Sequence, residues 1–192
     1  MTERGGPVRV AVLVSGGGTN LQALLDALHD SPIAQVTRVI SNRPDAGALE
    51  RARRAGVPTT VLRDANDPAE LQSALAGAQL VVLAGYLRLV PSSVVARFRG
   101  RMINVHPALL PDFGGPGMYG PRVHEAVLAS GAMESGATVH YVDEAFDRGD
   151  IIAQEKVRIE PGDTPERLAA RVLVAEHKLL PKVVLDLAKG LR

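Results

Sequence analysis

The 192-residue chain has no cysteine and no tryptophan, and it has only three tyrosines and three phenylalanines. Without cysteine there is no disulfide framework, no thiolate nucleophile and no Cys-ligated metal. An excess of one charge is also missing: 22 Lys and Arg face 21 Asp and Glu, for a formal net charge of +1. A protein that grips nucleic acid non-specifically needs a basic face to neutralise phosphates, so no nucleic-acid partner is expected. No HxH or HExxH spacing occurs in the chain, and no metal is expected. The charged N-terminus, MTERGGPVRV, leads into an apolar run of about seven residues, too short for a secretory signal or a membrane span. The expectation is a cytoplasmic protein that makes no membrane contact.

What the chain has is an apolar fraction of 46% with only 3% aromatic, so its core must be built from Val, Leu, Ala and Ile. That composition suits a parallel sheet buried on both faces. Residues 8–14 (VRVAVLV) read as a strand, and Leu21, Leu24, Leu25 and Leu28 recur at helical spacing. A strand over 36–41, a helix over 44–55 stopped by Gly56, and a short strand over 58–62 continue the alternation. Asp67-Pro68-Ala69-Glu70 carries a capping residue, a proline at the first helical position and a Glu that completes a capping box. A central strand over 80–84, a helix opened by Pro91 and a strand over 102–105 follow, the last delivering His106 into a loop.

The segment 111–121 (PDFGGPGMYGP) holds four glycines and three prolines and cannot be regular structure. A short helix around 123–128, strands over 136–142 and 151–159, and a long helix capped by Thr164-Pro165 complete the chain. The fold class expected is α/β: a doubly wound, mostly parallel sheet, Rossmann-like in its N-terminal half, with mixed C-terminal strands and a long final helix. With no repeat and no long linker, 1–192 is expected to be one domain.

Ser15-Gly16-Gly17-Gly18-Thr19-Asn20 joins the first strand to the first helix, where backbone N–H groups and the helix dipole make an anion site. It is neither the dinucleotide fingerprint nor a Walker loop, which would need a Lys before Thr19. Locally two readings stand side by side: a phosphate cradle, or a tight turn capped by Thr19 or Asn20. His106 stands one residue beyond a buried-type strand, two from the amide of Asn104 and next to rigid Pro107. An amide that donates to an oxyanion beside an imidazole that moves a proton is a sensible catalytic pair, and a structural strand-end histidine is the alternative. His140, inside the pattern ATVHY, reads equally as a packed strand residue, and His29 and His124 read as structural. Asp143, Glu144, Asp147 and Asp150 crowd one loop, where a carboxylate could orient a histidine and raise its pKa, or where the acids simply face water.

Four blocks in order, SGGGTN, LAGYLRLV (83–90), INVHPALLPDF (103–113) and ATVHYVDEAFDRGDII (137–152), resemble the phosphoribosylglycinamide formyltransferase family over nearly the whole chain. The most specific pieces are the Asn-x-His-Pro-x-Leu-Leu-Pro string and an Asp seven residues after the second His. The resemblance implies transfer of a formyl group from 10-formyltetrahydrofolate to the amine of glycinamide ribonucleotide, with Asn104, a protonated His106 and Asp147 as the catalytic groups. It implies that Gly18, Thr19 and Asn20 hold the substrate phosphate and that Glu176 meets the ribose hydroxyls. It further implies a folate wall of Leu87, Arg88, Leu89, Val90, Asn104, Val142, Asp143 and Glu144.

On that reading residues 8–105 form the phosphate half and 106–192 the folate and catalytic half, in a monomer or homodimer whose partners are small molecules. Two departures stand out. The segment after strand three is short, with Arg63 the cation at hand, and the glycine-rich stretch after Pro111 is longer than in some members. A methionyl-tRNA formyltransferase would be expected to carry about a hundred further residues forming a basic domain, and a formyltetrahydrofolate hydrolase an added N-terminal domain. A phosphate-binding module without catalysis is the remaining alternative.

Overall fold

The computed structural model describes residues 6–192, so the charged stretch at 1–5 lies outside it. One seven-stranded sheet runs through the molecule in the order β3-β2-β1-β4-β5-β6-β7. The first five strands are β1 (Val8–Val14), β2 (Ala34–Ser41), β3 (Thr59–Val61), β4 (Leu80–Leu83) and β5 (Met102–His106), and they pair in parallel. β6 (Glu134–Tyr141) and β7 (Ile151–Arg158) are added antiparallel. Strand order reverses between β1 and β4, and a reversal of that kind opens a crevice at the carboxyl ends of the strands.

The helices are α1 (Thr19–Leu28), α2 (Gly47–Arg54), α3 (Pro68–Ala74), α4 (Ser92–Arg97), α5 (Pro121–Ala129) and α6 (Pro165–Gly190). Alternation along β1 feeds two cores. Val8, Val10, Val12 and Val14 face α1, α2 and α6, where Leu21, Leu24, Ala48, Leu180 and Val184 are buried. Ala11 and Leu13 face the other layer, with Leu71, Val94 and Phe98 of the α3 and α4 region. Each fully buried Leu or Val contributes roughly 1.5–3 kcal/mol relative to exposure, which is why a chain so poor in aromatics can hold this sheet. A third cluster, Ala108, Val123, Val127, Leu168 and Val172, seats α5 against α6.

The sheet and helices expected from the sequence are present, with three local differences. α2 begins at Gly47 rather than at Pro44, because Arg43 and Asp45 pair within the preceding turn at 2.9 Å. Asp67 does cap α3, its carboxylate accepting from the Ala69 N–H at 2.9 Å. Glu70 does not close a capping box, since its carboxylate accepts the N–H groups of Arg63 and Asp64 at 2.9 and 3.0 Å. Neither Thr19 nor Asn20 caps α1: the N-cap is Gly18, in the left-handed region at φ 77° and with no side-chain cap. A Cβ on Gly18 would stand 2.5 Å from that of Ala48, so both the backbone angle and the packing require glycine there.

Candidate active site

The crevice at the β1/β4 reversal is a cavity lined by residues from several stretches of chain. Asn20 comes from α1, 85–90 from the end of β4, Asn104 to Pro107 from β5, and Glu176 from α6. The loop after β6 adds Val142, Asp143, Ala145, Phe146 and Asp147. The antiparallel register sets Asn104 opposite His140, so the end of β6 brings a second imidazole to the site.

Asp147 is the hub, its side chain only 9% exposed. One carboxylate oxygen lies 3.5 Å from His106 Nδ1 and accepts the Gly115 N–H at 3.0 Å. The other lies 3.5 Å from His140 Nε2 and accepts from Asn104 Nδ2 at 3.3 Å. Burial alone would raise the Asp147 pKa, but the His140 contact, the charge at His106 and the Gly115 N–H outweigh it and hold the carboxyl below its ordinary value. Asp147 and Phe113, on the two loops that meet here, both have φ near +55°, a left-handed backbone that the contacts around them must hold.

His106 Nε2 is 2.8 Å from the Phe113 carbonyl, and a carbonyl can only accept, so Nε2 carries a proton and Nδ1 faces Asp147. Burial lowers the His106 pKa, and the opposing pull of Asp147 does not recover it. Geometry pulls the other way, since both ring nitrogens face acceptors, Nε2 the Phe113 carbonyl and Nδ1 the Asp147 carboxylate, which is the arrangement that favours the charged ring. His140 Nδ1 lies 2.8 Å from the Tyr141 carbonyl and so carries a proton, while its Nε2 stands 3.1 Å from Asn104 Nδ2 and 3.5 Å from Asp147. The Asn104 amide nitrogen therefore meets both His140 and Asp147.

At the other end of the cavity Asn20 Nδ2 donates to Glu176 at 3.2 Å. Burial raises the Glu176 carboxyl to about 7, against the hydrogen bond from Asn20. The Asn20 carbonyl oxygen and the Tyr86 hydroxyl are buried without a partner. Between the two ends lies an apolar wall, with Leu87 and Leu89 at 48% and 45% exposure. Ser15 fixes that wall to the glycine loop: its hydroxyl donates to Asn42 at 2.6 Å and accepts the Leu87 N–H at 2.9 Å.

Of the residues expected at the site, Asn104, His106 and Asp147 come together, and Asn20, Glu176, Leu87, Arg88, Leu89, Val90, Val142 and Asp143 line the same cavity. Gly18 and Thr19 sit behind Asn20, outside the lining, and Glu144 is exposed on the rim of its loop. Arg63 points to solvent, 91% exposed. Phe146 lies in the 142–147 stretch and Tyr86 in the 83–90 segment that the family resemblance sets against the folate, and His140, which reads equally as a packed strand residue, lines the cavity because β5 pairs with β6. Among the described residues no cluster of His, Asp and Glu could hold a metal ion.

Residues 8–184 match the family model described as Formyl transferase. The chain belongs to the formyl transferase family. A phosphoribosylglycinamide formyltransferase from Arabidopsis thaliana, named as chloroplastic, is 46% identical over 186 residues, covering 92% of this chain and 64% of the relative. The chain thus spans under two thirds of that relative's length. The trifunctional purine biosynthetic protein adenosine-3 of Drosophila pseudoobscura pseudoobscura is 45% identical over 193 residues, 95% of this chain and 14% of that protein. The solved glycinamide ribonucleotide transformylase 1 from Symbiobacterium toebii superposes with a TM-score of 0.90 at 40% identity, covering 99% of this chain and 92% of that one. This formyl transferase therefore shares its architecture, as well as its sequence, with solved members of the family.

Proposed function

We propose that this formyl transferase moves the formyl group of 10-formyltetrahydrofolate onto the amine of 5'-phosphoribosylglycinamide, a step of purine synthesis. The observation that carries the reading is the meeting of Asn104, His106 and Asp147 at one end of a cavity whose other end holds Asn20 and Glu176. An amine placed between them attacks the formyl carbon, and the new C–N bond puts negative charge on the formyl oxygen. His106 Nε2–H and the Asn104 amide stabilise that oxyanion, a contribution of order 10² to 10³ in rate per donor. The carbon's bond to N10 of the folate then breaks. Asp147, ionised at neutral pH, takes the amine proton through water and returns it to the departing nitrogen.

These donors meet the Phe113 carbonyl, His140 and Asp147, so the formyl oxygen acts by replacing internal acceptors. The folate fits the apolar wall of Leu87, Leu89, Val90 and Val142, where backbone groups of 85–90 meet the ring edge and Asp143 meets its polar rim. The substrate phosphate fits the N–H groups at the start of α1, at Gly18, Thr19 and Asn20, and its ribose hydroxyls fit Glu176 and the unpartnered Asn20 oxygen. The working division is a phosphate half over about 8–105 and a folate and catalytic half over 106–192. Every residue named belongs to one chain, so a monomer or a homodimer carries the site equally. The cytoplasm is the compartment assigned, and no helix among the described residues is long and apolar enough to cross a membrane.

The test is direct. Purified protein given 10-formyltetrahydrofolate and glycinamide ribonucleotide transfers formyl at neutral pH, releases little formate when the acceptor is omitted, and does not formylate methionyl-tRNA. A folded sample with no turnover on that pair overturns the reading.

A further inference from the structure

The glycine loop has no Lys or Arg of its own between Ser15 and Leu28, yet the ligand proposed for it is a phosphomonoester dianion. The cation nearest to it by hydrogen bonding comes from α2. Arg51 Nε donates to the Gly17 carbonyl at 2.7 Å, and its Nη1 donates to Gln22 of α1 at 3.3 Å. Its neighbours on α2 are different: Glu50 lies 3.8 Å from Arg53 and 2.9 Å from Arg54. Among the described residues no carboxylate pairs with Arg51, so its charge is uncompensated where it touches the loop.

The loop is held on this side by three contacts from one helix. The Gly16 carbonyl accepts the Ala48 N–H at 3.0 Å, Gly18 packs on Ala48, and Arg51 takes the Gly17 carbonyl. Two successive carbonyl oxygens are therefore turned toward α2. A loop that binds an anion must present N–H groups and keep its carbonyl oxygens off the ligand, because those oxygens would repel it. Only one of the three contacts also brings a formal charge.

We infer that Arg51 is a positioning residue for the phosphate of the substrate: it holds the Gly17 carbonyl against α2 and supplies the positive charge that the loop itself lacks. The inference rests on the reading of the loop as the phosphate cradle. Arg51 bridges the loop and Gln22 through two different guanidinium nitrogens, which a lysine cannot do, so charge and geometry can be separated by substitution.

Titration with ribose 5-phosphate, a probe that needs no turnover, tests this. Arg51→Ala weakens binding by roughly 10- to 100-fold, the loss typical of a hydrogen-bonded charge, and flattens its dependence on salt. Arg51→Lys keeps the charge but not the bridge and falls between the variant and the wild type. Arg54→Ala, which removes a charge from the same helix away from the loop, stays within about twofold of wild type. In turnover, Arg51→Ala raises KM for the phosphorylated amine far more than it lowers kcat, and leaves KM for the formyl donor in place.

Equal ribose 5-phosphate affinity in wild type and Arg51→Ala overturns the inference, as does an equal loss in Arg54→Ala. If Arg51→Ala does not fold, Arg51→Lys decides by the same titration: no loss relative to wild type overturns the bridging role. Wild-type protein that ignores ribose 5-phosphate overturns the phosphate cradle and the inference with it. Wild type that binds it but does not transfer formyl overturns the proposed reaction and leaves Arg51 standing.

Discussion

The glycine loop after β1 and the Asn104–His106–Asp147 cluster after β5 lie at the same edge of one sheet, but they are built from opposite materials. The loop is made of backbone: glycines at 16, 17 and 18, carbonyls tied to α2, and a conformation that tolerates no side chain at Gly18. The cluster is made of side chains: the ionisable pair His106 and Asp147, 3.5 Å apart, and the Asn104 amide that donates to Asp147. A backbone site should be sensitive to shape and indifferent to pH. A side-chain site should keep its shape and change its chemistry when one atom is exchanged.

The sharpest way to break that contrast is at Asp147. Asp147→Asn preserves volume and is expected to lower kcat by about 10² to 10³, while the KM for the phosphorylated amine stays within about threefold. Steady-state kinetics decides: collapse of amine binding would make Asp147 a structural residue and merge the two regions. Next in size is Gly18→Ala, which must adopt φ near +77° and meet Ala48. It is expected to cost roughly 2–4 kcal/mol in urea unfolding, from left-handed strain plus overpacking. A cost under about 0.5 kcal/mol would show that the loop is not locked by packing.

Glu176, at the Asn20 end of the cavity, yields the smallest effect. Burial lifts its folded-state pKa from 4.5 to about 7, so the folded protein holds this proton more tightly than the unfolded chain does. Its contribution to stability is whole below pH 4.5 and is lost as pH rises through about 7. Glu176→Gln, which keeps an acceptor for Asn20, is therefore expected to stabilise the protein by roughly 2 to 3 kcal/mol at pH 8 and by under about 1 kcal/mol at pH 5. Urea titrations at the two pH values check it, and an equal gain at both would mean that the carboxyl is not buried as a proton-holding group.

Much of the fold was legible because two periodicities carried it. β1 reads as a strand from Val8 to Val14 and spans those residues, and Leu21, Leu24, Leu25 and Leu28 mark the buried face of α1. The helix start at Pro44 misled because the Arg43–Asp45 pair makes a turn that propensity does not register. In the site, Asn104, His106 and Asp147 were readable as motif positions, whereas His140 stayed open between site and packed strand residue, because an alternating strand pattern says which face a residue takes and not which strand lies beside it. Spacing suggests a carboxylate partner for His106, whereas only the closed cavity shows that burial opposes that partner. Arg51 left no signal in the sequence, because its partner is a backbone carbonyl 34 positions away.

The hydrogen bond between Asn20 and Glu176 joins positions 156 residues apart, and the last of them lies in α6, the final helix. Contacts of such separation carry a high loop-closure cost and tend to form late in folding. During synthesis β1, α1 and α2 leave the ribosome with the glycine loop's neighbours already present, yet the cavity stays open on one side until α6 docks. Ligand affinity is therefore an assay of completed folding: a chain whose α6 has not yet settled would contain most of the sheet and still be unable to close around its substrate.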